Sequence, residues 1–204
     1  SMLVIGVTGG ICSGKSTVVS TTESIGAKII DADKLGHQTY VPGTICYENL
    51  VKEFGSSIVS ENGEINRRAL GSLVFSDPSK MLALNSIVWP EIRVLIENRL
   101  QELEGEGAEV VVLEAAVMIE AGWQDLVTTL WVVGVDREVA RDRLMKRNSL
   151  SEVEALKRID SQISNEERCG KANLVIENND SGGSLDEFQE RVRELYRAEI
   201  DKVG

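Results

Sequence analysis

At 204 residues, 42% of them apolar and 27% charged, the chain can bury one sizeable core and has the composition of an ordinary globular protein. Its net charge of −11 argues against bulk nucleic-acid binding, which needs many Lys and Arg contacts to phosphate, but not against one small anion held by a loop. No apolar run reaches the ~18–20 residues of a membrane span, and no signal-peptide pattern opens the chain. Ser1 ahead of Met2 reads as a remnant of tag removal, so the domain is taken to run from 2 to 204.

The first predicted element is an apolar strand over residues 3–8, followed by a glycine-bearing turn and a helix over residues 15–25 that Gly26 stops. A second strand, residues 28–31, ends in acid at Asp31. Helical segments follow at 34–40, 46–54 and 66–75, separated by Pro42-Gly43 and Asn62-Gly63. After Asp77-Pro78 a long helix is expected, with apolar residues recurring at three- and four-residue steps from Leu84 to Leu103. Pro90 should kink or break it near Trp89. Strands at 109–114 and 130–135, Arg-bearing helices at 136–147 and 151–164, and a fifth strand at 173–176 complete the pattern. Ser184 with Glu187 three residues on reads as a capping box opening a last helix to about Lys202.

Buried strands alternating with helices indicate an α/β fold with a five-stranded parallel sheet covered on both faces. The helical stretch at about 34–107 reads as an insertion into a core formed by 2–33 and 108–204. Ligands of such sheets bind beyond the carboxyl ends of the strands. Thr8-Gly9-Gly10, Asp31-Ala32-Asp33 and Glu114 stand at those ends and should converge on one crevice.

Gly9, Gly10, Ile11, Cys12, Ser13, Gly14, Lys15, Ser16 and Thr17 match G-x-x-x-x-G-K-[ST], with a strand before and a helix after. The glycines let the backbone close round phosphate, and the helix start supplies N–H groups and a favourable dipole. Lys15 would reach the β- and γ-phosphates, and the Ser16 hydroxyl would bind Mg2+. The expected class is therefore an ATP-dependent phosphotransferase of the P-loop NTPase fold. Cys12 is either a small residue at a permissive position or a thiol acidified by the helix start and Lys15. No guanine-reading Asn-Lys-x-Asp is present, which disfavours a GTPase switch.

A kinase needs a base at the acceptor hydroxyl and cations round the moving phosphoryl group. Asp33 is the favoured base, with Asp31 the alternative; either would also serve as a helix N-cap. Arg143 and Arg147 lie four residues apart on one helix face and, with Arg141 and Arg158 nearby, would form a closing lid over about 137–165. The competing reading is a solvated charged face. Three cysteines without a CxxC pair point to a reducing compartment, cytosolic or mitochondrial. His37 is the single histidine, and no nucleophile motif stands near it.

Beyond the phosphate loop, the chain carries Asp31-Ala32-Asp33, Pro42-Gly43, Phe54-Gly55, Asn66-Arg67-Arg68-Ala69-Leu70 with Val74-Phe75, Trp89-Pro90, and Arg158 followed by Gln162. In this order these blocks, from about Leu3 to Tyr196, resemble the dephospho-coenzyme A kinase family. Trp89 before Pro90, Glu114-Ala115-Ala116 and Ala121-Gly122-Trp123 look more like the kinase half of the eukaryotic bifunctional CoA synthase. The resemblance implies ATP and Mg2+ as cofactors and dephospho-CoA as partner, phosphorylated on its ribose 3′-hydroxyl. It implies Asp33 as acceptor base, Lys15, Arg143 and Arg147 around the transferring group, and substrate contacts at Asp31, His37, Arg67 and Gln162. Asn178, after the fifth strand, is either an adenine-side residue or an ordinary turn, and Glu114 either orients magnesium or caps a turn. A kinase of another small acceptor, such as a nucleoside monophosphate, and a non-catalytic nucleotide-binding module are the rival readings.

Overall fold

The structure, a computed structural model, describes residues 1–179 and 183–204. Five strands form one sheet: β1 (Leu3–Gly9), β2 (Lys28–Asp31), β3 (Val110–Glu114), β4 (Thr129–Gly134) and β5 (Leu174–Glu177), in the order β2-β3-β1-β4-β5. The strands run parallel, with Val7 opposite Glu114 on one side of β1 and Trp131 on the other. Every residue of β1 is buried, which is what an uninterrupted apolar run is for when both faces of a central strand are covered. β2 and β5 lie at the edges and accordingly expose Lys28, Val175 and Glu177.

Nine helices are described: α1 (Lys15–Ser24), α2 (Ala32–Thr39), α3 (Ile45–Phe54), α4 (Arg67–Phe75), α5 (Pro78–Gly105), α6 (Arg137–Asn148), α7 (Glu152–Asp160), α8 (Asn165–Gly170) and α9 (Leu185–Val203). Short 3-10 turns stand at Ser56–Ile58 and Gln124–Leu126. None of the described helices is long and apolar enough to cross a membrane.

The chain divides into two compact units. One comprises residues 1–30 and 101–204; the other comprises residues 31–100. The sequence reading set these boundaries at 33 and 107 instead. In the first unit α1 and α9 pack on the sheet through Val18, Val19, Phe188, Val192 and Tyr196, against Ile5, Val7, Trp131 and Val133. Trp131 Nε1 finds an acceptor inside this core, Glu199 Oε1 on α9, at 3.2 Å. In the second unit Gly36 of α2 lies so close to Ile92 of α5 that a Cβ would sit 3.2 Å from its Cδ1.

Two local expectations are corrected. Pro90 does not break α5, which runs for 28 residues through it. Loss of one N–H and the ring clash cost about 3 kcal/mol. Val88, Ile92 and Ile96, all buried, flank the proline on the same helix and hold its turns by packing. The second correction concerns 151–164, which is not one helix. Ser164 accepts the Glu167 N–H at 3.0 Å and so starts α8 instead of ending α7. The reciprocal capping box falls at Ser151 and Glu154; at Ser184 the hydroxyl accepts the Glu187 N–H at 3.2 Å.

Candidate active site

The turn between β1 and α1 is built to leave a helix start open. Side chains of Asp31, Thr44, Asn66, Asp77, Ser151, Ser164 and Ser184 cap the starts of α2, α3, α4, α5, α7, α8 and α9. α1, like α6, has no side-chain cap, and its cap residue is Gly14, in the left-handed region at φ 97°. Its first N–H groups are therefore left for an anion.

Side chains from distant parts of the first unit hold the carbonyls of the loop. Asn178, just past β5, donates its amide to the Ser13 carbonyl at 2.9 Å. Arg143 of α6 donates to the Cys12 carbonyl at 3.0 Å and, through its other terminal nitrogen, to the Asn178 carbonyl at 2.7 Å. A trans peptide points its N–H opposite its carbonyl, so engaging Ser13 O from one side turns the Gly14 N–H to the other. The turn closes on itself through Ser13 N–H to Gly10 O at 3.1 Å. Cys12 takes the left-handed conformation at φ 59° to allow it. Lys15 Nζ lies along the same loop, donating to Gly9 O at 2.9 Å and Gly10 O at 3.3 Å.

A cavity of about 490 Å3 lies against this cradle. Lys15, Ser16, Glu114, Arg143, Arg147 and Asn178 line it together with Cys12, Ser13 and Gly14. Ser13 Oγ is buried without a partner. The donor set fits a polyphosphate: a lysine, two arginines, an open helix start and an orphaned hydroxyl. It also fits Mg2+ of the kind that keeps most of its ligands from water and phosphate, with the Ser16 hydroxyl and Glu114 on hand. No group of three or more His, Cys, Asp or Glu among the described residues forms an all-protein cage.

Thr17 follows on α1, its carbonyl accepting from Thr21 Oγ1 at 2.7 Å. Gln162, expected at the acceptor, bonds to the loop here: its Oε1 accepts the Ile11 N–H at 2.9 Å. Arg147 lines the cavity, whereas Arg141 pairs with Asp142 and Glu152 on the surface. Arg168 was missed by the sequence reading. It is 2% exposed and packs against Gly10, and burial lowers its pKa against the opposing pull of Glu120.

The remaining candidates belong to the second unit. Asp31 Oδ1 accepts the N–H groups of Asp33 and Lys34 at 3.0 and 3.2 Å, which makes Asp31 the N-cap of α2. Asp33 stands in the first turn of that helix with an exposed side chain. Arg67 Nη1 comes within 2.8 and 2.9 Å of the two ring nitrogens of His37. A guanidinium only donates and an imidazole offers one acceptor nitrogen at most, so no more than one of the two contacts is a hydrogen bond. Both residues line a pocket of about 240 Å3 with Tyr40, Val41, Pro42 and Glu64. Burial raises the Tyr40 pKa there, and the charge of Arg67 works against that rise.

A parallel sheet with an uncapped, lysine-bearing loop at its carboxyl edge and arginines from a following helix defines a P-loop kinase. The comparisons with known proteins narrow this. The dephospho-CoA kinase family profile matches residues 3–183. Dephospho-CoA kinase of Geobacter sulfurreducens is 44% identical, the match covering 96% of this chain and 98% of the relative. Among solved structures, TT1252 from Thermus thermophilus superposes with a TM-score of 0.80 at 37% identity, covering 97% of both chains. Dephospho-CoA kinase from Campylobacter jejuni gives 0.73 at 28% identity, covering 98% of both. The chain belongs to the dephospho-CoA kinase family, and its reaction is ATP-dependent phosphorylation of dephospho-CoA.

Proposed function

We propose that the chain transfers the γ-phosphoryl group of ATP in line to the ribose 3′-hydroxyl of dephospho-CoA, without a phosphoenzyme, with Asp33 as base. The observation that carries this reading is the hold that Arg143 and Asn178 have on the Cys12 and Ser13 carbonyls beside the cavity. It turns the loop backbone into a donor surface beside Lys15, Ser16 and Glu114. Such a surface stabilises charge on a transferring phosphoryl group with no reorganisation. Lys15 and the arginines of the lid, about 137–165, offset that charge, and the Ser16 hydroxyl with Glu114 would hold Mg2+. Bound there, the metal would supply charge neutralisation for the phosphoryl transfer.

Asp31 is committed to capping α2, which supports Asp33 as the carboxylate that takes the 3′-hydroxyl proton. Arg67 and His37 are the proposed contacts to the anionic part of dephospho-CoA within the insertion. The unpaired cysteines fit a reducing compartment, and the bacterial relatives favour the cytoplasm.

The test is ADP release measured against a panel of acceptors: dephospho-CoA, nucleoside monophosphates and shikimate. Dephospho-CoA should win by orders of magnitude. Preference for any other acceptor sinks the reading, as does ATP binding without acceptor-dependent ADP release.

A further inference from the structure

Arg168 is a cation buried as deeply as the sheet core, at 2% exposure. Its Nη2 donates to the Ile163 carbonyl at 3.0 Å. Its Nη1 lies against Gly10, 3.0 Å from where a Cβ would stand, with Cζ and Nη2 at 3.6 and 3.7 Å. Nε is buried with no hydrogen-bond partner. A guanidinium taken out of water and left partly unbonded is destabilising, so its retention there calls for a use.

Gln162 stands in the turn ahead of α8 and holds the next loop residue, Ile11, by its N–H. The peptide unit between Gly10 and Ile11 is thus fixed at both ends. Its N–H goes to Gln162, and its carbonyl accepts from Ser13 N–H and Lys15 Nζ. The unit that follows carries the Cys12 N–H, at the lip of the phosphate cavity.

A second cavity, of about 430 Å3, adjoins this edge. Asp136, Glu138, Asp160 and Glu166 line it against Arg137 and Arg168, and Arg137 is already paired with Asp160 at 2.7 Å. Such a lining repels anions. The charge of Arg168 is met by Glu120 and Glu167, and its guanidinium reaches the phosphate loop by packing against Gly10.

We propose that Arg168 and Gln162 are positioning residues for phosphoryl transfer. They brace Gly10 and Ile11 from the segment after α7, so that the front turn of the loop, and Lys15 with it, is set before ATP arrives. The inference rests on the loop's being an ATP site, and it is read by ATP binding, which needs no acceptor. An acceptor other than dephospho-CoA would overturn the proposed reaction and leave this brace standing.

The experiment measures KM for each substrate, kcat, ATP-induced thermal stabilisation and the ligand-free melting temperature. The variants are Arg168→Met, Arg168→Lys, Gln162→Ala and Gly10→Ala. Arg168→Met should raise KM for ATP about tenfold or more, lower kcat, and leave KM for dephospho-CoA within about twofold. Arg168→Lys, which keeps the charge, should recover part of the loss. Gly10→Ala and Arg168→Met should be less than additive when combined, because they disturb one contact.

A purely structural role predicts a lower melting temperature with KM for ATP unchanged, and that result overturns the proposal. Should Arg168→Met fail to fold, Gln162→Ala decides. A rise of about threefold or more in KM for ATP at an unchanged melting temperature supports the brace. An unchanged KM rejects it.

Discussion

The side-chain amide of Asn178 bonds to the carbonyl of Ser13 at 2.9 Å, across 165 residues of sequence. This contact sets the orientation of the peptide that carries the Gly14 N–H. It also explains why residue 14 must be glycine: φ is 97°, and a Cβ there would collide with Asn178 Nδ2.

Asn178→Ala should weaken ATP binding by about five- to tenfold, the effect of losing one hydrogen bond of about 1 kcal/mol that orients a donor. Gly14→Ala should be worse, because it both strains the backbone and displaces the amide. Isothermal titration with a non-hydrolysable ATP analogue reads both. Equal affinities for wild type and Asn178→Ala would show that the loop keeps its shape without the clamp.

Asp31 and Asp33 separate by the same kind of test. Asp33→Asn should lower kcat by about 10²–10⁴-fold while ATP affinity stays within about twofold. Asp31→Asn preserves an acceptor at the N-cap and should fold and turn over nearly normally. Asp31→Ala should lose about 1 kcal/mol of stability through the cap. Thermal melts alongside steady-state rates distinguish the two effects. If the large loss of kcat followed Asp31→Asn instead, the base would have to be reassigned.

These two aspartates also mark what could be read from the chain alone. The loop from Gly9 to Thr17 was legible because its chemistry is local: glycine spacing, a lysine and a flanking strand and helix. The strands were legible because β1, β3 and β4 are buried on both faces and so carry unbroken apolar runs. The sequence favoured Asp33 over Asp31 as base but left the helix cap open, since either suits a helix start; the bonds to Asp33 N–H and Lys34 N–H show that Asp31 caps. Arg168 lies outside every helix drawn from the sequence, and nothing in its neighbourhood signals burial beneath Gly10. The split at Ser164 did have a signal, Ser164 with Glu167 three residues on, the same pattern that was read correctly as a helix start at Ser184. The roles of Arg143 and Asn178 as clamps depend on contacts 131 and 165 residues away, which no local pattern encodes.

Acid should act on the start of α5. Asp77 Oδ1 accepts from the Ser79 N–H at 3.0 Å and from its hydroxyl at 2.7 Å. The Ser79 hydroxyl bond, with the backbone of Lys80, lowers the Asp77 pKa from its ordinary 3.8. A folded pKa below the unfolded one means stability that is present above pH 3.8 and is lost as pH falls through the folded value. Asp77→Ala should therefore melt below wild type at neutral pH, by a gap that closes on acidification below that value. A gap that widens in acid would mean that Asp77 does not cap α5 as an anion.

Inside the core, the indole N–H of Trp131 has Glu199 Oε1 as its acceptor at 3.2 Å. Trp131 is fully buried, and Glu199 is 8% exposed, reaching Lys202 Nζ at 3.6 Å from its position on α9. The carboxyl group tolerates this depth because its Oε1 meets both the indole N–H and, at ion-pair distance, the ammonium of Lys202. Glu199→Ala leaves the indole N–H buried with nothing to bond. Removal of one partner costs about 1–3 kcal/mol, and for a chain of this size each kcal/mol lowers the melting temperature by about 2–4 °C. Glu199→Gln keeps a carbonyl oxygen at the same reach and should recover most of that loss. Neither variant touches the phosphate loop, so kcat and both KM values should hold at 25 °C. Differential scanning calorimetry with parallel rate measurements checks this, and equal melting temperatures for Glu199→Ala and wild type would show that the indole finds another acceptor.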